Sequence, residues 1–367
     1  MPPPTLTLRA LNRATLARQL LLERAPLGVE DAVGRLVGLQ AQVPHDPYTA
    51  LWSRLEGFEP AALSDALTAR RLARIVVMRG TIHLVTREDA LALRPLVQPV
   101  LDAELARHRD FAPALEGLDL EPVLVHARTA LGGRPLTGPQ LRASLAERFP
   151  QHDPAALAYA CRCKLALVQT PPRGLWGRTA QVTVVTAESW LGEPLDRSAT
   201  LDEVIVRYLA AFGPAAVADV TAWCRLTGLR EVVERLRPRL LTFRDEHGRE
   251  LFDLEDAPRP DPATPAPTRF LPEYDNALLS HADRSRFGHE AGRLAGARGR
   301  GTVLHDGLVA ARWRVDLDGG RATLVVAAGV RLTKREIASI RAEGRRLLRL
   351  LAAAAAGREV RVEPVIA

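Results

Sequence analysis

Apolar positions recur at helical spacing in three successive stretches, and each series ends in paired short runs rich in β-branched residues. In the first, Asn12 is a candidate cap for a helix from Arg13 to Arg24. Helical runs follow from Val29 to Leu39 and from Ala61 to Arg71. Ile75 to Met78 and Thr81 to Val85 then read as a hairpin split by Arg79-Gly80. The second stretch predicts one long helix from Arg87 to His108, another from Glu121 to Leu131, and a third over Leu141 to Phe149, entered through a Thr137 cap. A helix from Asp153 to Cys163 and strands Leu165 to Gln169 and Gln181 to Thr186 complete it. The third is the clearest. Helices Leu201 to Phe212, Ala215 to Leu226 and Leu229 to Arg237 lead into strands Leu240 to Arg244 and Glu250 to Leu254, the order of a winged helix. Ala257 to Pro267 is proline-rich and aperiodic, and reads as a linker or stiff loop. Beyond it, strands near Gly301 to His305, Leu308 to Val315, Ala322 to Val326 and Glu359 to Val365, with a helix from Lys334 to Ala356, predict a smaller mixed region.

The predicted fold is α+β: tandem winged-helix motifs over 1–86, 87–198 and 199–256, a linker at 257–267 and a β-rich α+β domain over 268–367.

One short stretch stands out chemically. Gly38-Leu39-Gln40-Ala41-Gln42-Val43-Pro44-His45-Asp46-Pro47 places two amides around one small apolar residue, and the prolines predict a helix end there. An amide carries one acceptor and one donor group and does not ionise, so the pair can orient a water or hold a base edge but is a poor proton acceptor. Asp46 is the nearest carboxylate in sequence, with capping of the turn at Pro47 as its expected role.

Gln40-Ala41-Gln42 combined with tandem winged helices resembles the AlkZ/YcaQ family of bacterial DNA glycosylases. Further stretches resemble it in order and spacing: Arg79 to Leu84, Pro172 to Gly177, Leu271 to Asn276 with Ser280 to Arg284, and Gly301 to Gly307. The resemblance spans nearly the whole chain. It implies a monofunctional glycosylase with Gln40 and Gln42 as catalytic residues, in the Gln-apolar-Gln form linked to self-resistance against DNA-crosslinking natural products. It also implies DNA or lesion contacts at His83, Thr81, Arg79, Arg173, Asp275, His281, Arg284 and Arg286. Packing and hydrogen-bonding roles compete at His83, Asp275 and His281, a solvated loop competes at Arg284 and Arg286, and Trp176 and the wing-tip His247 read as core and exposed.

Glycosidic cleavage builds positive charge on the sugar while water attacks. An N3- or N7-alkylated purine is already cationic and leaves neutral, so neutral amides suffice. The expected reaction is hydrolysis of that bond, extending to interstrand crosslinks. Gln42 is expected to hold the water, and Gln40 to support it or face the sugar. The competing reading is a non-enzymatic winged-helix regulator or lesion binder.

Composition agrees. The net charge of +7 and pI of about 10.0 point to an anionic partner, nucleic acid first, although a GC-rich genome also favours arginine. Lys164 and Lys334 are the two lysines, so candidates for Schiff-base chemistry are scarce. Cys161, Cys163 and Cys224 suit buried free thiols, neither disulfides nor a zinc site. No phosphate-binding loop, dinucleotide glycine pattern or Cys/His cluster predicts a cofactor or metal. No run approaches the roughly 20 apolar residues of a membrane span. The expected protein is a cytoplasmic, nucleoid-associated monomer acting on duplex DNA.

Overall fold

The computed structural model describes residues 3–294 and 298–365. Thr7, in extended backbone, caps the first helix, Leu8–Arg18, by accepting the Ala10 N–H at 3.1 Å. The cap predicted at Asn12 is therefore a turn too late. Asn12 lies buried inside the helix, and its amide donates to the Arg286 and Gly307 carbonyls at 2.9 Å each. The helix stops at Arg18 rather than Arg24, and Leu20 turns to φ 57°.

The helix Val29–Arg35 leads into the short strand Leu39–Gln40. Gln40 thus ends a strand and Gln42 lies in the bend just beyond it, rather than at the helix end predicted from the prolines. Pro47 instead lies in the first turn of a helix absent from the sequence reading, Asp46–Arg54, where its missing N–H has no intrahelical partner to lose. Two prolines also divide the long helix predicted over Arg87 to His108. It is two helices, Arg87–Leu96 and Gln98–Ala106, joined at Val97, with Pro95 ending one and Pro99 opening the other.

The first two motifs share a sheet. Strands Leu39–Gln40, Ile82–Thr86, Leu72–Val76, Leu167–Gln169, Thr183–Thr186 and Leu136–Thr137 form one six-stranded antiparallel sheet in that order. The third motif matches its prediction closely. Helices Leu201–Phe212, Val217–Cys224 and Leu229–Leu236 precede the hairpin Leu241–Asp245 and Glu250–Asp253. Thr5–Leu6 adds a parallel strand to that wing. The core around Trp223, Tyr208 and Phe212 also holds Ile75, Val77 and Val168, so the third motif packs on the shared sheet.

The last region is a five-stranded sheet, Arg269–Leu271, Gly301–His305, Leu308–Asp318, Arg321–Ala328 and Gly357–Glu363. The helix Lys334–Leu351 makes the crossover between its final, parallel pair. That helix ends at Leu351, not Ala356; the Ala352 carbonyl beyond it accepts from Arg358 Nε at 2.8 Å. The proline-rich segment is no free linker. Its carbonyls at Pro258, Pro262 and Thr264 accept from Arg18, Arg9 and Arg13 of the first helix.

Buried ion pairs join the N-terminal helices to distant parts of the chain. Arg18 donates two hydrogen bonds to Asp253, at 2.6 and 2.8 Å. Arg54 does the same to Asp275, at 2.7 and 2.8 Å, with both side chains essentially inaccessible. Removing one member of such a pair strands the other charge in a poorly solvated interior. Asp275→Ala is therefore expected to lose about 3–5 kcal/mol of unfolding free energy in urea titration. A loss below about 1 kcal/mol, typical of exposed pairs, would contradict a structural role for the pair.

Candidate active site

The Gln-Ala-Gln motif begins at the end of a strand. Leu39 and Ala41 enter one apolar core, Gln40 turns away from it at the strand's end, and Gln42 lies two residues on, where the Ile82 N–H reaches its side chain. Gln40 pairs in register with His83, and the Ala41 N–H donates to the Ile82 carbonyl at 2.8 Å. The preceding residue must be glycine. Gly38 has φ +87°, and a Cβ there would sit 2.8 Å from Val85 Cγ1.

Gln40 is nearly buried, and its Oε1 accepts from Arg79 Nη2 at 2.6 Å. Arg79 Nη2 also donates to Asn276 Oδ1 at 2.9 Å, and Nη1 to the Trp223 carbonyl at 3.1 Å. Asn276 closes the loop by donating from Nδ2 to the Gly38 carbonyl at 3.2 Å. Arg79 has φ 60°, a backbone state uncommon for residues other than glycine. Burial, then the charges of Arg225 and Arg284, bring its guanidinium down to about 10. Gln42 differs from Gln40. It is exposed, and its Oε1 has only a long contact from the Ile82 N–H, 3.3 Å.

His83 is fully buried. Its Nδ1 faces the Thr81 carbonyl at 3.0 Å and its Nε2 faces Arg79 Nη2 at 3.4 Å. Burial, then the adjacent Arg79 charge, push the imidazole down to about 3. It is therefore neutral, with its proton on Nδ1. Asp46 opens its helix, and one carboxylate oxygen is buried without a partner. Burial, then Glu273, raise it to about 7.

Three predicted contacts are corrected. Asp275 is buried and committed to Arg54 and to the Ala277 N–H at 2.9 Å. His281 is buried with Nε2 at 3.0 Å from the Phe212 carbonyl. Arg286 is buried, donating to Thr15 Oγ1 at 2.9 Å and to the Pro214 carbonyl. Each is enclosed by packed elements, which keeps it from a docked duplex. His83 likewise has no exposed surface. Arg173 is half-buried and donates to the Ala180 carbonyl at 3.0 Å. Thr81 is half-buried with its hydroxyl on the Met78 carbonyl, and Arg284 is half-buried beside Arg79. Trp176 is partly buried against Tyr48, ring centroids 4.8 Å apart, and His247 is exposed at the wing tip.

Four residues escape the sequence reading. Asn276 ends the Leu271 to Asn276 stretch, and that resemblance was the available signal. Trp223 lends only its carbonyl, which has no sequence signal. Arg225 sits at the left-handed end of Val217–Cys224, at φ 61°, where the sequence continues the helix to Leu226. Arg74 is a charge inside an apolar strand. It donates to the Ala41 carbonyl at 2.9 Å, while its Nε and Nη1 are buried without partners. Among the described residues, no group of three or more Cys, His, Asp and Glu could hold a metal ion. A cavity of about 370 Å³ between the first and second motifs, lined by Ile75, Ile82, Leu141, Tyr159, Arg162 and Gln169 among others, includes neither Gln40 nor Gln42.

The family model described as DNA glycosylase AlkZ-like matches residues 33–350. The chain belongs to the AlkZ-like DNA glycosylase family. Among solved structures, the DNA glycosylase AlkZ of Streptomyces sahachiroi is similar over 98% of this chain and 100% of its own, with a TM-score of 0.76 and 20% identity. No curated protein sequence matches. The protein is a DNA glycosylase with DNA as its substrate, which overturns the non-enzymatic regulator reading. No helix among the described residues is long and apolar enough to cross a membrane.

The glycosylase's His83 gives a pH prediction. The folded value, about 3, lies below the unfolded 6.5, so this stabilisation is complete above pH 6.5 and is lost as pH falls from there toward 3. The wild type should lose up to ~1.4 kcal/mol per pH unit from this imidazole below about pH 6.5. His83→Gln should show a slope shallower by that amount in urea unfolding between about pH 7.5 and 5. Equal slopes would mean that His83 is not held neutral.

Proposed function

We propose that the glycosylase hydrolyses the N-glycosidic bond of cationic N3- or N7-alkylated purines in duplex DNA. The observation that carries this reading is the character of the groups at the motif. Gln40, Gln42, Asn276 and His83 are neutral, and Arg79 is cationic. Such a set contains no strong base and no carboxylate to support a poor leaving group, and the Asp46 carboxyl faces Glu273 and the Tyr274 backbone rather than these groups. It suits a base that is already charged. The C1′–N bond pair then leaves with the purine, which becomes neutral. Water adds to the sugar cation, and its surplus proton passes to solvent. The protein's contribution is to orient that water and place it on the reacting carbon.

Gln42 is the water-holding residue. Its amide is exposed, and its oxygen is only loosely engaged by a 3.3 Å backbone contact. The same exposure favours bulky lesions. A purine joined to a second strand cannot enter a closed pocket, whereas an exposed amide just beyond a strand's end can be reached without one. Unhooking of interstrand crosslinks, including those of natural products, is the extension we propose for the same site. The enzyme would act as a monomer on nucleoid DNA in the cytoplasm.

The third helix-turn-helix does not favour sequence-specific binding. Arg235 is paired with Asp202, and Arg237 with Glu234 and Glu250, so two of the four arginines at that helix, Arg230, Arg235, Arg237 and Arg239, are already engaged with carboxylates. Release of 7-methylguanine from methylated duplex, with an equal yield of abasic sites, is the expected activity. Gln42→Ala should lower the single-turnover rate roughly tenfold or more, the scale of losing one oriented polar contact in a transition state. Unchanged release by that variant would remove Gln42 from the mechanism. No release by the wild type from either methylated or crosslinked duplex would overturn the proposed substrate class.

A further inference from the structure

We infer that Arg79 is a positioning residue that locks the Gln40 amide with its NH₂ group toward the substrate, making Gln40 the hydrogen-bond donor and Gln42 the acceptor to the attacking water. The inference rests on the glycosylase reading above and deepens it.

Amide orientation is often ambiguous because oxygen and nitrogen look alike. Here chemistry decides it. A guanidinium has five N–H donors and no acceptor, so only the oxygen of Gln40 can face Arg79 Nη2 at 2.6 Å. The Nε2 group of Gln40 must then point away from Arg79. The carbonyl dipole of Gln40 is thereby spent on a cation and is not offered to the sugar.

Arg79 is itself held on several sides. The Trp223 carbonyl and Asn276 Oδ1 accept from it at 3.1 and 2.9 Å. His83 faces it with a bare Nε2, because the other ring nitrogen is directed at the Thr81 carbonyl. Asn276 also grips the Gly38 carbonyl, so one side chain fixes both the guanidinium and the backbone entering the motif strand. A second, independent sign is the backbone. Arg79 stays in the left-handed region at φ 60°, a state that persists in non-glycine residues only where the surroundings impose it. Its partners are neutral, so the guanidinium is not serving a buried ion pair as Arg18 and Arg54 do.

A water with one lone pair aimed at C1′ needs a hydrogen-bond donor for its second lone pair and a hydrogen-bond acceptor for one O–H, while its surplus proton passes to solvent. Gln40 Nε2 supplies the first. Gln42 Oε1, held at 3.3 Å by the Ile82 N–H, supplies the second. The divided roles explain why the motif carries two amides, one at the strand's end and one just beyond it.

The deciding variant is Gln40→Glu. A carboxylate can still accept from Arg79, but it has no donor. If Gln40 acts as donor, the variant should fall with Gln40→Ala, roughly tenfold or more below wild type in single-turnover release of 7-methylguanine. If instead the Gln40 oxygen stabilised the sugar cation, the added negative charge would hold or raise the rate, and that result overturns the inference. Arg79→Met should lower kcat by about tenfold with KM for methylated duplex within about threefold, and Arg79→Lys should recover part of the loss. A change confined to KM and its salt dependence would make Arg79 a phosphate contact and overturn the positioning role. Should Arg79→Met fail to fold, Gln40→Glu decides alone, since it leaves Arg79 in place. An active wild type with an unimpaired Gln40→Glu overturns only this inference. A wild type inactive on methylated and crosslinked DNA overturns the proposed substrate class and this inference together.

Discussion

A guanidinium does not shed its charge at any pH the protein meets, so each buried arginine obliges the fold to bring acceptors to it. This constraint organises the molecule. Arg18 and Arg54 sit on early helices, and their carboxylates lie 235 and 221 residues further along the chain. Arg13 reaches Asp306 and the Thr264 carbonyl, and Arg286 reaches Pro214 and Thr15. These contacts pin the proline-rich segment and the C-terminal sheet against the first helix. With two lysines in the chain, arginine does nearly all of this work, and its fixed planar fork suits two-point contacts to carboxylates and carbonyls.

The same chemistry, with its carboxylates removed, surrounds the candidate active site. Arg74 holds the Ala41 carbonyl from one direction, and Arg79 holds the Gln40 amide from another. Both guanidiniums are shifted down to about 10, by burial first and then mainly by neighbouring arginine charge. The motif strand is therefore clamped between two cations that lack acidic partners. Arg74 is buried, so its charge acts on the Ala41 carbonyl rather than on a docked duplex, whereas Arg79 is half-buried beside Gln40.

Several functional stretches proved to have two layers. Leu271 to Asn276 and Ser280 to Arg284 carry the family resemblance, yet Asp275 and His281 within them, and Arg286 just beyond, are buried in the core. Asn276, beside Asp275, reaches the motif instead. Adjacent residues differ in this way because Asp275 caps a short helix and faces Arg54, whereas Asn276 begins that helix and faces Gly38 and Arg79. Loss of glycosylase activity after mutation in these stretches would therefore have two physical causes, separable only by measuring stability as well.

Much was legible in the chain itself. Periodicity located the helices and wings of the third motif closely, because short polar turns such as Thr227-Gly228 and Asp245 to Arg249 separate strongly patterned runs. The spacing of Gln40 and Gln42 around one apolar residue has the period of two that belongs to a strand, which Leu39 and Gln40 form, but the flanking prolines drew the reading to a helix end. Tertiary structure decided the rest. Whether Pro47 ends a helix or opens one depends on which helix follows it. Whether the two first wings stay separate depends on strand edges meeting, and here they fuse into one sheet. Above all, which polar residues face DNA depends on burial, and burial is set by contacts between residues far apart in sequence. Composition promised positive charge; only packing determined which of those charges were already spent inside the protein.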